Sequence, residues 1–242
     1  MAGIAAASSA CSRDLRFGAP ESVTTDGDSI LELWRSFHWV ALGVGLLIWG
    51  LVIFSVVRYR RRSDDLPSQS PYNIPLEVAY TVVPLFIVVA LFASTVVPQQ
   101  RVVGLSDDPD VVVDVIGFQW SWEFSYPEED VTVVSDGVNP PEMVLPVGST
   151  VRFRLNTVDV NHSFWVPQFL VKRDLIPRVD NELEVEVTEP GEWVGRCAEF
   201  CGLDHYRMTF AVTAVPPDDY RAWLDDQRNL AERRPATRDD QP

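Results

Sequence analysis

The chain has 242 residues, a formal net charge of −15, 46% hydrophobic residues and 23% charged residues. This acidity excludes general nucleic-acid binding, which needs a basic patch for the phosphates, and three cysteines are too few for a disulfide scaffold. Lys172 is the only lysine, which suggests a halophilic organism, high-GC coding, or an acidic surface that docks a cationic partner.

Residues 1–28 are small and polar without periodicity, and they predict a flexible N-terminal lead. Cys11 follows two small residues, as in a lipoprotein cleavage site, but the stretch before it is too short for a charged region and an apolar core. We interpret Cys11 as an incidental thiol. The alternative, a lipidated Cys11, requires that the true start lies upstream.

Two apolar segments within residues 29–100 predict a transmembrane hairpin. They run over residues 37–57 and 78–97, and each is long enough to cross the bilayer core as a helix. The basic cluster from Arg58 to Arg62 marks the loop between them as cytoplasmic, so the chain after the hairpin is predicted to be extracytoplasmic. We expect a protein of the cell (plasma) membrane with two spans; two long core helices of a soluble domain are the alternative.

One carboxylate, Glu77, borders the second span on its cytoplasmic side. An acid at this place is often a solvated helix-end residue, and it is also where a proton uptake path needs a titratable group. Position alone favours the structural interpretation.

Residues 108–215 predict an extracytoplasmic β-sandwich. Alternating segments such as Val151–Leu155 and Leu183–Val187 are separated by Pro and Gly turns, at a spacing typical of an antiparallel sandwich with Greek-key connections. Residues 216–242 predict a short C-terminal helix and a loose tail. The fold class is therefore an α+β membrane protein.

Four aromatic residues alternate with polar ones near the start of this domain, and a period of two places them on one face of a strand. They are Trp120, Trp122, Phe124 and Tyr126. This spacing predicts a strand with one buried face.

Soft metal donors concentrate near the end of the domain. They are the thiols Cys197 and Cys201, the imidazole of His205 and the thioether of Met208. Copper binds all three donor types. A disulfide leaves His205 and Met208 unexplained, and zinc makes little use of thioethers. Copper is therefore favoured, while a disulfide, a zinc site and chance clustering stay open.

A second imidazole, His162, follows the strand Val151–Leu155 at a predicted edge of the sandwich. Alone it indicates a structural histidine. Together with His162, the donors number two thiolates, two imidazoles and one thioether, which is one thiolate more than a mononuclear blue-copper centre uses. Two thiolates that each bridge two copper ions use every donor, and sharing one electron between the ions keeps the geometry nearly constant. We interpret this as an electron-transfer site, with no catalytic residue in this chain.

The segment from Cys197 to Met208 resembles the binuclear copper A motif of subunit II of the haem–copper cytochrome c oxidases. The resemblance covers nearly the whole chain after residue 30. It includes the hairpin, the Glu77 stretch, the aromatic strand from Gln119 to Trp122, the His162 segment and Lys172–Pro177. It implies a cupredoxin-like Greek-key domain.

The resemblance also implies a role for each site residue. The ligands would be Cys197 and Cys201 as bridges, His162 and Met208 on one copper, and His205 with the main-chain carbonyl of Glu199 on the other. The side chain of Glu199 would reach Mg²⁺ or Mn²⁺ at the boundary with subunit I. Trp120 resembles the residue through which electrons enter, and Glu77 resembles the carboxylate at the mouth of a proton uptake channel.

The function that the resemblance implies is that of the subunit through which electrons enter a terminal respiratory oxidase. Electrons would pass from a soluble donor to haem, held only in subunit I, where O₂ is reduced to water with proton pumping. Subunit III is a further expected partner. Phe118 and Ser121 depart from the family pattern beside Trp120, which leaves the donor open between a cytochrome c and a small blue-copper protein.

Three other interpretations fit part of the sequence. A quinol oxidase subunit II shares the hairpin and sandwich but lacks the copper ligands. The copper A domain of a nitrous oxide reductase has no such hairpin. A membrane-tethered copper chaperone or storage protein needs neither Trp120 nor Glu199.

Overall fold

The computed structural model describes residues 15–62, 69–135 and 137–233. Cys11 and the expected C-terminal tail lie outside these residues. The helices are α1 (Thr25–Arg58), α2 (Ile74–Val103) and α3 (Pro217–Arg233). The strands are β1 (Val111–Phe118), β2 (Ser121–Tyr126), β3 (Val131–Val134), β4 (Glu142–Pro146), β5 (Thr150–Thr157), β6 (His162–Val166), β7 (Val171–Leu175), β8 (Asn181–Glu186), β9 (Gly191–Cys197) and β10 (Thr209–Val215).

The first two helices are long and apolar. Within the described residues, one unit comprises residues 15–19 and 31–99, and a second comprises residues 20–30 and 100–233. Both helices are long and apolar enough to cross a membrane, and both extend beyond the predicted spans. Their large apolar side chains are mostly exposed. Core helices of a soluble domain bury such side chains, so the exposure favours contact with lipid.

Part of the predicted N-terminal lead is packed. Val23 is only 2% exposed. Its N–H donates to the carbonyl of Gln168 at 3.2 Å, and its carbonyl accepts from the N–H of Thr188 at 3.0 Å. A buried side chain with both backbone groups bonded orders this segment. Residues near Val23 therefore differ from the flexible segment that composition alone predicts.

The second unit contains a β-sandwich, as predicted. One sheet has the strand order β3-β2-β1-β5-β8 and the other β4-β10-β9-β6-β7. Two neighbouring pairs, β1 with β5 and β4 with β10, are parallel, whereas an antiparallel sandwich was predicted. Parallel neighbours need a long crossover, and the chain supplies it by passing through the opposite sheet between the paired strands.

The aromatic residues of β2 form part of the core. Trp122, Phe124 and Tyr126 are fully buried, as their alternation predicts. The ring of Phe210 lies 5.2 Å from that of Trp122 and 5.3 Å from that of Phe124. Trp120 lies outside the strand, in the turn between β1 and β2, and is partly buried against the core. The prediction that all four aromatic residues share one face of a strand is therefore wrong for Trp120.

The predicted C-terminal helix is α3. It begins at Pro217, where the fixed φ and the missing N–H of proline suit the first helical position. Tyr220 and Leu224 are buried against the sandwich, and Arg228 donates to a carboxylate oxygen of Glu129 at 2.8 Å. These contacts attach the helix to the second unit.

Candidate metal centre

Strand pairing brings the distant histidine to the cysteines. His162 is the first residue of β6 and Cys197 is the last of β9. The two strands are antiparallel neighbours, with Phe164 opposite Cys197. Because β7 pairs with the other side of β6, β6 is an interior strand of its sheet. The prediction that His162 lies at an edge of the sandwich is therefore wrong. It is completely buried.

The two thiols and two imidazoles lie within a few ångströms of each other. The sulfurs of Cys197 and Cys201 are 3.8 Å apart, too far for a disulfide bond of about 2.05 Å. Cys197 Sγ lies 3.8 Å from His162 Nδ1, and Cys201 Sγ lies 3.5 Å from His205 Nδ1. Each thiol is therefore beside one imidazole.

The thioether and one carbonyl complete the group. Met208 Sδ lies 3.7 Å from Cys201 Sγ. The carbonyl oxygen of Glu199 lies 3.1 Å from Cys197 Sγ. All the predicted donors therefore converge on the loop between β9 and β10, where a short 3₁₀ turn holds residues 205–207.

The sulfur donors are shielded from solvent. Met208, Cys201 and Cys197 are 1%, 3% and 5% exposed, whereas His205 is partly exposed. A metal–thiolate bond is about 2.3 Å long, so sulfurs 3.8 Å apart can both bind the same ion. The donor types and their separations fit a thiolate-bridged copper pair.

Asp159 orients the buried histidine. Its Oδ1 lies 2.9 Å from His162 Nε2, so a proton on Nε2 leaves Nδ1, the nitrogen that faces Cys197, as a metal ligand. Burial opposes ionisation of Asp159, but the hydrogen bond to His162 and two backbone N–H donors outweigh it and lower the pKa of the carboxyl. The carboxylate therefore fixes the orientation of the ring.

The two thiols differ in acidity. Burial raises the pKa of both, but hydrogen bonding to His162 lowers the pKa of Cys197 to about 6. Burial and the neighbouring charge of Cys197 raise the pKa of Cys201 to about 12. In the metal-free chain, one thiolate thus suppresses the second, and a cation between the sulfurs would remove this repulsion.

Comparison with known proteins identifies the family. The family described as cytochrome c oxidase subunit II, periplasmic domain, matches residues 136–215. A probable cytochrome c oxidase subunit 2 of Streptomyces avermitilis is 39% identical over 87% of this chain and 79% of its own length. The chain belongs to the cytochrome c oxidase subunit II family. It is therefore a subunit of an oxidoreductase complex, and the predicted resemblance is confirmed.

One further relative and one solved structure are similar to this chain. Cytochrome c oxidase subunit 2 of Mycobacterium tuberculosis is 34% identical over 88% of this chain and 75% of its own length. Among solved structures, the periplasmic domain of subunit II of the Bradyrhizobium japonicum cytochrome oxidase is 29% identical, with a TM-score of 0.48. It matches 52% of this chain and 99% of that chain.

Two other predicted site residues, Trp120 and Glu77, each make hydrogen bonds with residues of their own unit. The indole N–H of Trp120 donates to the carbonyl of Cys201 at 3.3 Å, which ties it to the loop between β9 and β10 (residues 198–208, the thiol loop). Glu77 lies in the first turn of α2, where its carboxylate accepts the N–H of Asn73 at 3.0 Å. The side chain of Asn73 accepts the N–H of Leu76 at 3.3 Å. Glu77 therefore also takes part in a reciprocal helix cap.

Sequence reasoning missed two residues of the site, Asp159 and Gln119. A carboxylate three residues before His162 was a usable signal, because metal-binding histidines commonly donate their second N–H to a carboxylate. For Gln119 no such signal exists, since its contact with Cys201 spans 82 positions and follows only from the fold.

The unequal acidity of the two thiols can be tested by titration. In copper-free chain carrying Cys11→Ser, we expect the NMR shift of the Cys197 Cβ to titrate at about pH 6 and that of Cys201 only near pH 12. His162→Gln should raise the pKa of Cys197, because the hydrogen bond that favours the thiolate is lost. Two thiols that both titrate near the ordinary value of about 8.5 would contradict this assignment.

Proposed function

We propose that this chain is the subunit through which electrons enter a terminal respiratory oxidase. It accepts electrons one at a time from a soluble extracytoplasmic donor and delivers them to haem in subunit I, which reduces O₂ to water with proton pumping. The observation that carries the proposal is the convergence of two thiols, two imidazoles, a thioether and a carbonyl in a subunit II family member.

The ligand roles follow the predicted assignment. Cys197 and Cys201 would bridge two copper ions, with the remaining ligands His162, Met208, His205 and the Glu199 carbonyl. When bound, such a copper pair supplies one-electron redox chemistry with little change in geometry. His162 and Cys197 are buried at the ends of two paired strands, which suits this role because a close-packed core resists movement when the charge changes.

Trp120 is proposed as the electron inlet. Its partly buried ring packs against the core, and its indole N–H donates to the carbonyl of Cys201. The ring therefore connects the protein surface to a bridging ligand through one hydrogen bond. A cleft of about 340 Å³ beside it is lined in part by Asn139, Asp204 and Arg207, which suits contact with a protein donor.

Glu199 is proposed to have two roles. Its carbonyl faces Cys197, while the residue itself is exposed. An exposed carboxylate suits a hard cation, Mg²⁺ or Mn²⁺, shared with subunit I. The manganese content of the assembled oxidase measures whether this cation is bound. We place the complex, with subunits I and III as partners, in the plasma membrane, with α1 and α2 in the lipid bilayer.

The burial of the sulfur ligands disfavours a copper chaperone or storage protein. Met208, Cys201 and Cys197 are at most 5% exposed, whereas handing copper to another protein requires ligands that a partner can reach. The presence of the full donor set disfavours a quinol oxidase subunit, and two membrane-length helices disfavour a nitrous oxide reductase.

Electron uptake by the assembled oxidase tests the proposal. Reduced cytochrome c and a reduced blue-copper protein are each mixed with the enzyme, and we expect Trp120→Leu to slow uptake about tenfold, a barrier change of about 1.4 kcal/mol. Trp165→Leu is the matched control, because the ring of Trp165 lies against the guanidinium of Arg196 on β9. A wild-type enzyme that accepts electrons from neither donor would contradict the function.

The proton role of Glu77 can be separated from its capping role. Glutamine preserves a capping box but does not titrate, so Glu77→Gln should keep α2 and the copper spectrum while lowering O₂ turnover severalfold. Glu32→Gln, which removes a carboxylate from α1, serves as the control. Unchanged turnover in Glu77→Gln would leave Glu77 with the helix cap alone.

A further inference from the structure

Gln119 contacts both ligand-bearing segments of the site. It lies in the turn between β1 and β2, directly before Trp120. Its side-chain Nε2 donates to the carbonyl of Cys201 at 2.7 Å. Its backbone N–H donates to Oδ2 of Asp159, also at 2.7 Å. One residue therefore bonds to a thiol-bearing residue on one side and to the histidine-orienting carboxylate on the other.

The second of these contacts continues to a ligand. The other oxygen of Asp159 lies 2.9 Å from His162 Nε2. A chain of hydrogen bonds thus runs from Cys201 through Gln119 and Asp159 to His162. It joins the loop after β9 to the start of β6 through two residues that are not themselves proposed ligands. Such a connection limits the relative movement of two ligands that are distant in sequence.

A glycine in the thiol loop leaves room for the Gln119 amide. Gly202, the residue after Cys201, has φ +124, and a Cβ there would lie 3.0 Å from Gln119 Nε2. A side chain at this position would both strain the backbone and push the amide away. The same carbonyl also accepts the indole N–H of Trp120 at 3.3 Å. Glycine here permits two donors to reach one carbonyl.

The contacts of Gln119 are unusual for an exposed residue. The residue as a whole is exposed, and an exposed glutamine ordinarily adds little to stability. Its amide nevertheless makes a short, partly buried hydrogen bond over 82 positions of sequence. Gln119 itself is not a member of the buried core, although its partner Cys201 is one, so the contact holds a ligand-bearing residue from outside the core.

We propose that Gln119 is a positioning residue of the copper centre. Its side chain holds the carbonyl of Cys201, and its backbone holds Asp159, so that the thiol loop and the His162 ring keep a fixed separation. The hydrogen bond to the carbonyl also draws electron density from the ligand residue, which favours the reduced centre. This inference rests on the proposed copper function.

The test uses full-length, copper-loaded chain carrying Gln119→Met. Methionine keeps the length of the side chain but cannot donate, and the backbone bond to Asp159 remains. We expect copper release to a chelator to accelerate about tenfold, at the lower end of the effect of losing an outer-shell partner. The reduction potential should fall, and the copper hyperfine splitting should change.

Two further variants complete the design. Gln227→Met on α3, which lines a cleft against β3, is the matched control and should behave as wild type. Gly202→Ala crowds the same amide and should shift copper release and potential in the same direction as Gln119→Met. A Cβ at Gly202 also lies 3.1 Å from Trp120 Nε1, so Gly202→Ala disturbs both donors to the Cys201 carbonyl. Agreement between the two variants therefore supports the hydrogen bonding of this carbonyl as the shared cause.

The outcomes separate the inference from the function on which it rests. Wild-type potential, copper release and hyperfine splitting in Gln119→Met would overturn the positioning role. So would a change confined to the unfolding midpoint of the copper-free chain, which a merely structural contact would give. A wild-type chain that binds copper without the spectrum of a bridged pair would instead overturn the proposed function.

Discussion

The pairing of β6 with β9 is the constraint on which the site depends. It places Phe164 opposite Cys197 and brings the buried end of β6, His162, beside the end of β9. A slip of one residue in this register would turn His162 toward the opposite face of the sheet. The aromatic core holds the register, because Phe164 stacks against Phe210 with ring centroids 5.1 Å apart.

The fold holds the two thiols close together, although their thiolates repel each other. In the metal-free chain, hydrogen bonding to His162 lowers the pKa of Cys197 against the effect of burial, whereas burial and the charge of Cys197 raise the pKa of Cys201. Asp159 and Gln119 restrain the ligands from the opposite side of the site. The result is a preorganised, shielded group of soft donors, which suits rapid change of charge without change of shape.

Much of this could be predicted from the sequence where the signal is local. Cys197, Cys201 and His205 recur at spacings of four, and the apolar runs are long enough to be recognised without a structure. The strand alternation likewise predicts the burial of Trp122. The parallel strand pairs, the interior position of β6 and the Gln119 contact could not be predicted, because each depends on pairing between segments that are far apart in the chain.

The central claim is that Cys197 and Cys201 hold two copper ions as one electronic unit. Electron paramagnetic resonance of the copper-loaded, full-length chain, with copper per chain measured on the same sample, tests it most directly. We expect two coppers per chain and a hyperfine pattern from one unpaired electron shared equally by two copper nuclei. A pattern from a single copper nucleus, or a stoichiometry of one copper per chain, would contradict it.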